Sequence, residues 1–234
     1  MTNLPPPGSP GDDDEIFVVE SRVQLQQLAE DGELAGKEIR DFAAAGVGLR
    51  EVDLEGVTVE RVDWQKVDFD NARLENATLK AVDLRHALWH GALWNRTRFD
   101  QCDLTEIDLT GAELVRCEIG PTRMGKANLS GAKIQHTQFN EVELYAANFS
   151  RAVITRSSFV NYGNGTESLN GANFSGAALI EVELAGVSLM NADFSDALLV
   201  RCNLRGASLC NANLRGASLV GCDTRGADTD GATT

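Results

Sequence analysis

A large apolar residue recurs at every fifth position over most of the chain. Steps of five from Leu49 to Leu219 visit 35 positions, and 34 of them hold Leu, Ile, Val, Phe, Trp or Met, with Asn164 as the exception. The residue two places earlier is Ala, Val, Cys, Thr or Ser at 32 of 35 positions. A period of five fits neither a 3.6-residue helix nor the two-residue alternation of a strand. The pattern therefore requires a chain that turns every five residues.

Two inward side chains two places apart, as in Ala72 and Leu74, fit one short extended segment. A bend after each segment brings the next pair inward, and four bends of about 90° close a square coil of about 20 residues. Coils stacked about 4.8 Å apart, like parallel strands, place every fourth repeat above the same point of the coil below. We therefore predict an all-β solenoid whose axis is filled by the large side chains.

Four short segments match the motif of a known family. The sequence resembles the pentapeptide-repeat proteins, which are recognised by tandem A(D/N)LXX units, over residues 34 to 234. The matching segments are Ala127 to Ser130, Ala147 to Ser150, Ala172 to Ser175 and Ala212 to Arg215. The resemblance implies a right-handed quadrilateral β-helix, here of about ten coils and on the order of 48 Å long. It implies a scaffold rather than one activity.

The chain divides into three parts. Residues 1–15 are rich in Pro and Asp, have little to bury and are predicted to be a disordered acidic tail. Residues 16–33 are predicted to form a short strand and a helix over residues 22–31, which would cover the open edge of the first coil. Residues 34–234 are the predicted β-helix, with an irregular loop near 161–168.

Composition and charge limit the possible partners. The 35 acidic and 21 basic residues give a net charge of −14, which argues against nucleic acid as a direct ligand. Neither a signal peptide nor a membrane-spanning segment is visible, so we expect no membrane partner and a cytoplasmic location. Four of the five cysteines occupy the small inward position and are expected to be reduced thiols. A disulfide between Cys202 and Cys222, the only pair one coil apart, is the alternative.

No catalytic or cofactor motif is present in the sequence. The three histidines, His86, His90 and His136, fall on outward or corner positions and share no ligand-like spacing with Cys or carboxylate pairs. A coil axis filled by Leu and Phe offers no pocket that would shift the pKa of a general acid or base. We therefore predict no enzyme activity, no metal and no cofactor.

Residues four repeats apart form two charged columns. The acidic column is interrupted by Arg123 and the basic column includes His136. Acidic residues so aligned either belong to the turns of the repeat or imitate a nucleic-acid backbone, and both interpretations stay open. Some pentapeptide-repeat proteins protect DNA gyrase by imitating a nucleic-acid backbone. The resemblance therefore implies a DNA-binding enzyme such as gyrase as an alternative partner. The acidic residues are Asp63, Asp83, Asp103 and Glu143, and the basic ones are Arg96, Arg116 and Arg156.

Apolar residues also recur at outward positions. Val160, Ile180, Val200 and Val220 follow the large residue, and Ala178 and Leu198 precede it. At a spacing of four repeats these side chains are predicted to form one apolar stripe, which is an interface for a homodimer or another protein. The loop near 161–168 leaves open which face follows which, but Ile180, Val200 and Val220 all follow it and therefore stay together. Outward Leu88 and Leu93 suggest a smaller second patch.

The leading functional hypothesis is a non-catalytic scaffold that mediates protein–protein interaction through its outer faces. Protection of gyrase or topoisomerase by DNA mimicry is the first alternative. A secretion-associated adaptor or effector is the second, based on the acidic tail and the amino-terminal helix.

Overall fold

The computed structural model describes residues 17–160 and 168–234, and the predicted tail at residues 1–15 lies outside them. These described residues contain one helix, α1 (Arg22–Asp31), and eighteen short strands. The strands are β1 (Val18–Val19), β2 (Glu38–Arg40), β3 (Thr58–Glu60), β4 (Arg73–Glu75), β5 (Thr78–Lys80), β6 (Leu93–Asn95), β7 (Arg98–Asp100), β8 (Glu113–Val115), β9 (Glu118–Ile119), β10 (Thr122–Arg123), β11 (Lys133–Gln135), β12 (Gln138–Asn140), β13 (Val142–Glu143), β14 (Val153–Thr155), β15 (Ser158–Val160), β16 (Ala178–Ile180), β17 (Leu198–Val200) and β18 (Ser218–Val220).

The strands stack into a solenoid of about ten coils with four faces. Face 1 is an eight-stranded parallel sheet in the order β1-β2-β3-β5-β7-β9-β12-β15. Face 2 contains the β10–β13 pair and isolated bridges such as Asp63 to Asp83, and face 3 is held by bridges such as Asn128 to Asn148. Face 4 is a second eight-stranded sheet, β4-β6-β8-β11-β14-β16-β17-β18. The predicted quadrilateral β-helix is thereby confirmed.

The inward positions fill the axis as the period of five predicts. On face 3, Phe149, Phe174 and Phe194 are buried and stacked, with ring centroids 4.9 Å and 4.8 Å apart. Such stacks combine burial of large apolar area with favourable ring geometry. The large residues are buried through most of the solenoid, although Leu219 near its carboxy-terminal end is 38% exposed. The outer faces are therefore the surface available for contacts with other molecules.

A tight turn follows each large residue. The amide of Ala72 donates to the carbonyl of Phe69 at 2.9 Å, and the intervening Asn71 has φ of 59°. This left-handed conformation recurs at the same repeat position, as in Arg96 with φ of 51°. Each turn ends one face and begins the next, so the polypeptide chain changes direction at every repeat.

The helix α1 matches the predicted residues 22–31. The side chain of Ser21 accepts a hydrogen bond from the Gln24 amide, and Gly32 ends the helix with φ of 72°. Leu25 is fully buried in the same core cluster as the first coils. The helix therefore packs on the amino-terminal end of the solenoid.

No helix in the described residues is long and apolar enough to cross a membrane.

One coil is longer than predicted. Asn128 bridges to Asn148, four repeats later, but Asn148 bridges to Asn173, five repeats later. The prediction that every coil contains four repeats is therefore wrong for the coil that includes residues 161–167, which themselves lie outside the described part. The excess is one whole repeat, so the period of five continues while the faces shift by one.

Candidate interaction surfaces

The residues immediately before and after each large residue point outward. In β16 the central Leu179 is buried, whereas Ala178 and Ile180 on either side are half-buried. In β17 the central Leu199 is buried, Leu198 is exposed and Val200 is half-buried. Each face thus offers two columns of outward side chains, one residue per coil, with successive members about 4.8 Å apart.

An apolar patch covers face 4 over β14, β16, β17 and β18. Val153 pairs with Ala178, and Ala178 pairs with Leu198, which makes one column. The second column joins Ile180 to Val200 and Val200 to Val220. Val153 and Leu198 are each 41% exposed and Val220 is 53% exposed. The apolar patch consists of Val153, Ala178, Ile180, Leu198, Val200 and Val220.

Val160 does not belong to the apolar patch, and its predicted placement is wrong. It ends β15 on face 1, where it pairs with Asn140. The longer coil moves the chain by one face, so Ile180 stacks on Thr155 instead. Val153 is absent from the predicted stripe for the same reason. The signal was available, because omitting one repeat around Asn164 brings Val153 into line with Ala178.

Charges of alternating sign border the apolar patch at the corner between faces 4 and 1. Glu181 lies between Arg156 and Arg201 on neighbouring coils. Arg156 Nε donates to Glu181 Oε2 at 2.8 Å, and Arg201 Nε donates to Glu181 Oε1 at 3.1 Å. Hydrogen bonds from Arg156 first and Arg201 second hold the pKa of Glu181 below its usual value. This carboxylate stays ionised at neutral pH.

The acidic column forms on face 2 as predicted. Bridges connect Asp63 to Asp83, Asp83 to Asp103, and Asp103 to Arg123, and Arg123 pairs with Glu143. Arg123 lies within the column, and its Nη1 is 3.3 Å from Asp103 Oδ2. The column is therefore continuous in space and partly neutralised where the sequence interrupts it.

Several acidic side chains of this column serve the turns. Asp83 Oδ1 accepts from the Arg85 amide at 3.1 Å, and Asp103 Oδ1 accepts from the Thr105 amide at 3.1 Å. Burial opposes the charged form of Asp83, but the hydrogen bonds from the Arg85 side chain and amide outweigh this effect and lower its pKa. These bonds favour the structural interpretation of the column, since short side chains commonly close such turns.

The basic column lies at the corner between faces 4 and 1. Arg96, Arg116, His136 and Arg156 directly follow β6, β8, β11 and β14, with φ between 48° and 55°. A surface groove beside them is lined by Arg96, Arg98, Arg116 and His136. Arg156 differs from the others because it pairs with Glu181. The predicted alignment of the column is present.

Leu88 and Leu93 do not form a patch on one face. Leu88 is 38% exposed on face 3, where it bridges to Asp68 and Asp108. Leu93 belongs to β6 on face 4, where it pairs with Arg73 and Glu113. Each leucine is thus surrounded by charged residues in its own column.

His90 is held between two carboxylates, and the repeat pattern does not predict these contacts. Its Nδ1 lies 2.7 Å from Asp70 Oδ1, and its Nε2 lies 3.1 Å from Asp108 Oδ2. Burial opposes protonation, but the hydrogen bonds to Asp108 and Asp70 outweigh it and raise the pKa of His90. Across residues 17–160 and 168–234, no group of three or more His, Cys, Asp and Glu is placed to hold a metal ion.

The five cysteines are all free thiols. Cys102, Cys117 and Cys202 are buried at small inward positions, and burial raises the pKa of each to about 11. Buried thiols with a high pKa are poor nucleophiles, so these residues act as small core side chains.

The family model for pentapeptide repeats matches this chain with eight copies, in residues 49–85, 79–116, 122–160, 168–196 and 188–226. The chain belongs to the pentapeptide-repeat family. In this pentapeptide-repeat protein, the repeats form stacked coils with Leu and Phe side chains pointing inward. Residues in the left-handed conformation form the corners between the faces. A comparison with curated proteins finds no match.

Several solved pentapeptide-repeat structures are similar to this chain. HetL, a protein involved in heterocyst differentiation regulation in the cyanobacterium Nostoc sp. strain PCC 7120, is 24% identical over 85% of this chain and 87% of its own, with a TM-score of 0.49. QnrB1, a plasmid-mediated fluoroquinolone resistance protein, is 18% identical over 79% of this chain and 90% of its own, with a TM-score of 0.43. Rfr23 from the cyanobacterium Cyanothece 51142 is 24% identical over 50% and 64%, with a TM-score of 0.31.

Proposed function

We propose that this pentapeptide-repeat protein is a non-catalytic scaffold that docks a protein on the apolar patch of face 4. The observation that carries the proposal is the alignment of six apolar side chains in two adjacent outward columns. The same columns hold Arg73, Glu113 and Lys133, or Glu75 and Gln135, on earlier coils of that face. Leu93 and Val115 are single aliphatic residues in these columns on earlier coils, each between polar or charged neighbours. Only over the last four strands of the sheet do the aliphatic residues become contiguous.

The physical drive for docking is the exposed aliphatic surface. Removing apolar area from water stabilises a complex by about 25 cal/mol per Å². Exposed Val and Leu scattered singly are normal, but contiguous apolar surface favours a contact site. The neighbouring Arg156, Glu181 and Arg201 supply a charged border that orients a partner.

The test is capture of partners by the full chain and by two matched variants. Ile180→Glu with Val200→Glu places two charges in the apolar patch, while Thr58→Glu with Thr78→Glu adds the same charge to face 1. We expect unchanged circular dichroism for both, loss of the captured protein with the face 4 variant, and retention with the face 1 variant. Equal capture by all three proteins would contradict the proposal.

The acidic column supports a second candidate, binding of gyrase or another topoisomerase through mimicry of nucleic acid. Aligned carboxylates on Asp63, Asp83 and Asp103 favour it, whereas their role in turns and the pairing with Arg123 weigh against it. A supercoiling assay with and without a gyrase poison tests it. The triple change of these aspartates to Asn keeps an acceptor for the turns and removes the charge. Mimicry requires an effect of the wild type that this variant loses.

The remaining alternative, a secretion-associated adaptor, rests on residues 1–15, outside the described residues, and on α1. The cytoplasmic location stays a prediction.

A further inference from the structure

We propose that the apolar patch binds a second copy of this chain, face to face, with the two solenoids antiparallel about a two-fold axis that passes between β16 and β17. The inference rests on the proposed function, because it uses the same surface. It goes further by naming the partner and its orientation. In this arrangement β16 lies on the partner's β17, and β14 lies on the partner's β18.

The apolar side chains are complementary in size about this axis. Ala178 faces the partner's Leu198, so the smallest member of the patch receives the largest. Ile180 faces the partner's Val200, which joins two β-branched residues of similar volume. Because β-sheets pack face to face at about 10 Å, pairing small with large side chains fills the space without clashes.

The charges at the corner between faces 4 and 1 are complementary about the same axis. Glu181 and Arg201 occupy the same corner position on adjacent coils, on either side of the proposed axis. The two-fold therefore brings Glu181 of each copy to Arg201 of the other. Two symmetric ion pairs result, and they add to the pairs that Glu181 already makes within its own chain.

The charges at the opposite edge of the patch, between faces 3 and 4, are also complementary about this axis. Arg151, Gly176, Asp196 and Gly216 occupy this corner on successive coils, all with positive φ. The carboxylate of Asp196 lies against Gly216. The two-fold places Arg151 over the partner's Gly216, next to that carboxylate, so the second edge is also paired by charge.

The alternative two-fold, with parallel solenoids, fits less well. In the parallel arrangement, the corner between faces 4 and 1 of one copy lies against the corner between faces 3 and 4 of the other. Asp196 would then gain the partner's Arg201, but Arg151 would meet the partner's Arg156, so like charges oppose each other on the first of these coils. Leu198 would no longer receive a small side chain. The antiparallel arrangement pairs opposite charges at both edges and matches side-chain size at its centre, on β16 and β17. At the ends of the patch, Val153 faces the partner's Ser218 and Val220 faces the partner's Thr155.

The size of the surface predicts a weak dimer. The patch extends about 15 Å along the solenoid and roughly 10 Å across it. A stable interface usually buries about 800 Å² per partner, and smaller contacts are weak or transient. We therefore expect association to become detectable only at high protein concentration.

The test is sedimentation equilibrium of the full chain at concentrations up to about 1 mM. Glu181→Arg and Arg201→Glu each set like charges against one another across the axis, and each is expected to weaken self-association about tenfold. The antiparallel two-fold makes a specific prediction for mixtures. Equal amounts of the two single variants form a heterodimer with both pairs restored, and the double variant E181R/R201E restores the homodimer.

Circular dichroism and thermal denaturation of each variant exclude unfolding as the cause, since Glu181 also bonds to Arg156 and Arg201 of its own chain. Restoration in the mixture and in the double variant supports the dimer. A monomeric wild type, or single variants that associate as the wild type does, overturns it, as does failure of restoration. Partner capture that depends on Ile180 and Val200 by a strictly monomeric protein would refute the dimer and leave the proposed function intact.

Discussion

Asn148 stacks on Asn173 although five repeats separate them, whereas only four repeats separate Asn148 from Asn128. The side chain of Asn148 donates from Nδ2 to Asn128 Oδ1 at 3.1 Å, so the same residue type continues one column through the longer coil. Because the excess length is one repeat, inward and outward positions keep their directions on both sides. The extra repeat decides which residues share face 4.

Shortening the long coil tests this relationship. Replacing residues 161–167 with Asn-Ala restores the four-repeat spacing between Asn148 and its partner on the next coil. We expect the fold to persist, with a change in the free energy of unfolding below about 1 kcal/mol, because loop closure depends weakly on length. Chemical denaturation and circular dichroism measure this. Loss of the cooperative unfolding transition in this variant would contradict the assignment of one additional repeat to this coil.

The periodicity alone predicts the coils, the buried positions and the alignment of Ala178 with Leu198, because no break separates these residues. The helix α1 is predicted by its end signals, Ser21 and Gly32. The periodicity places Val160 wrongly and misses Val153, because a period of five cannot show which coil contains an additional repeat. The contacts of His90 with its two carboxylates depend on side-chain direction, which the repeat pattern does not specify.

The stacked aromatic column is predicted to be a main source of stability. Phe174→Ala removes the central ring of the Phe149–Phe174–Phe194 stack and should cost about 3 to 5 kcal/mol of unfolding free energy. Phe174→Leu, which places at this position the residue type found at Leu129 on the same face, should cost much less. Urea denaturation monitored by circular dichroism gives both values. Similar losses for Ala and Leu would argue against a specific packing role for the ring.

The acidic column gives a prediction that separates turn structure from charge. Asp83→Asn keeps an oxygen that accepts from the Arg85 amide, as Asn128 does for the Ser130 amide. Asp83→Ala removes the acceptor and should cost about 0.5 to 1.5 kcal/mol. Thermal denaturation of the two variants tests this. If Asn is as destabilising as Ala, the charge and its pairing with Arg85 matter more than the turn bond.

We expect protonation of His90 to make a pH-dependent contribution to the stability of the fold. Its pKa is raised in the folded state, so protonated His90 stabilises the fold fully below the ordinary value of 6.5. That stability is lost as pH rises through the higher folded-state pKa. The difference in melting temperature between wild type and His90→Gln should therefore be largest near about pH 5 and shrink toward about pH 9. A difference that grows with rising pH would contradict the contacts with Asp70 and Asp108.

Face 4 is the proposed contact surface of this protein. Methyl chemical-shift mapping by NMR tests it most directly, with spectra of the full chain at low concentration, at high concentration and with any captured partner. On association, we expect the methyl signals of Val153, Ile180, Val200 and Val220 to shift together while Val160 on face 1 stays unchanged. Shifts at Val160 without shifts on face 4 would contradict the account.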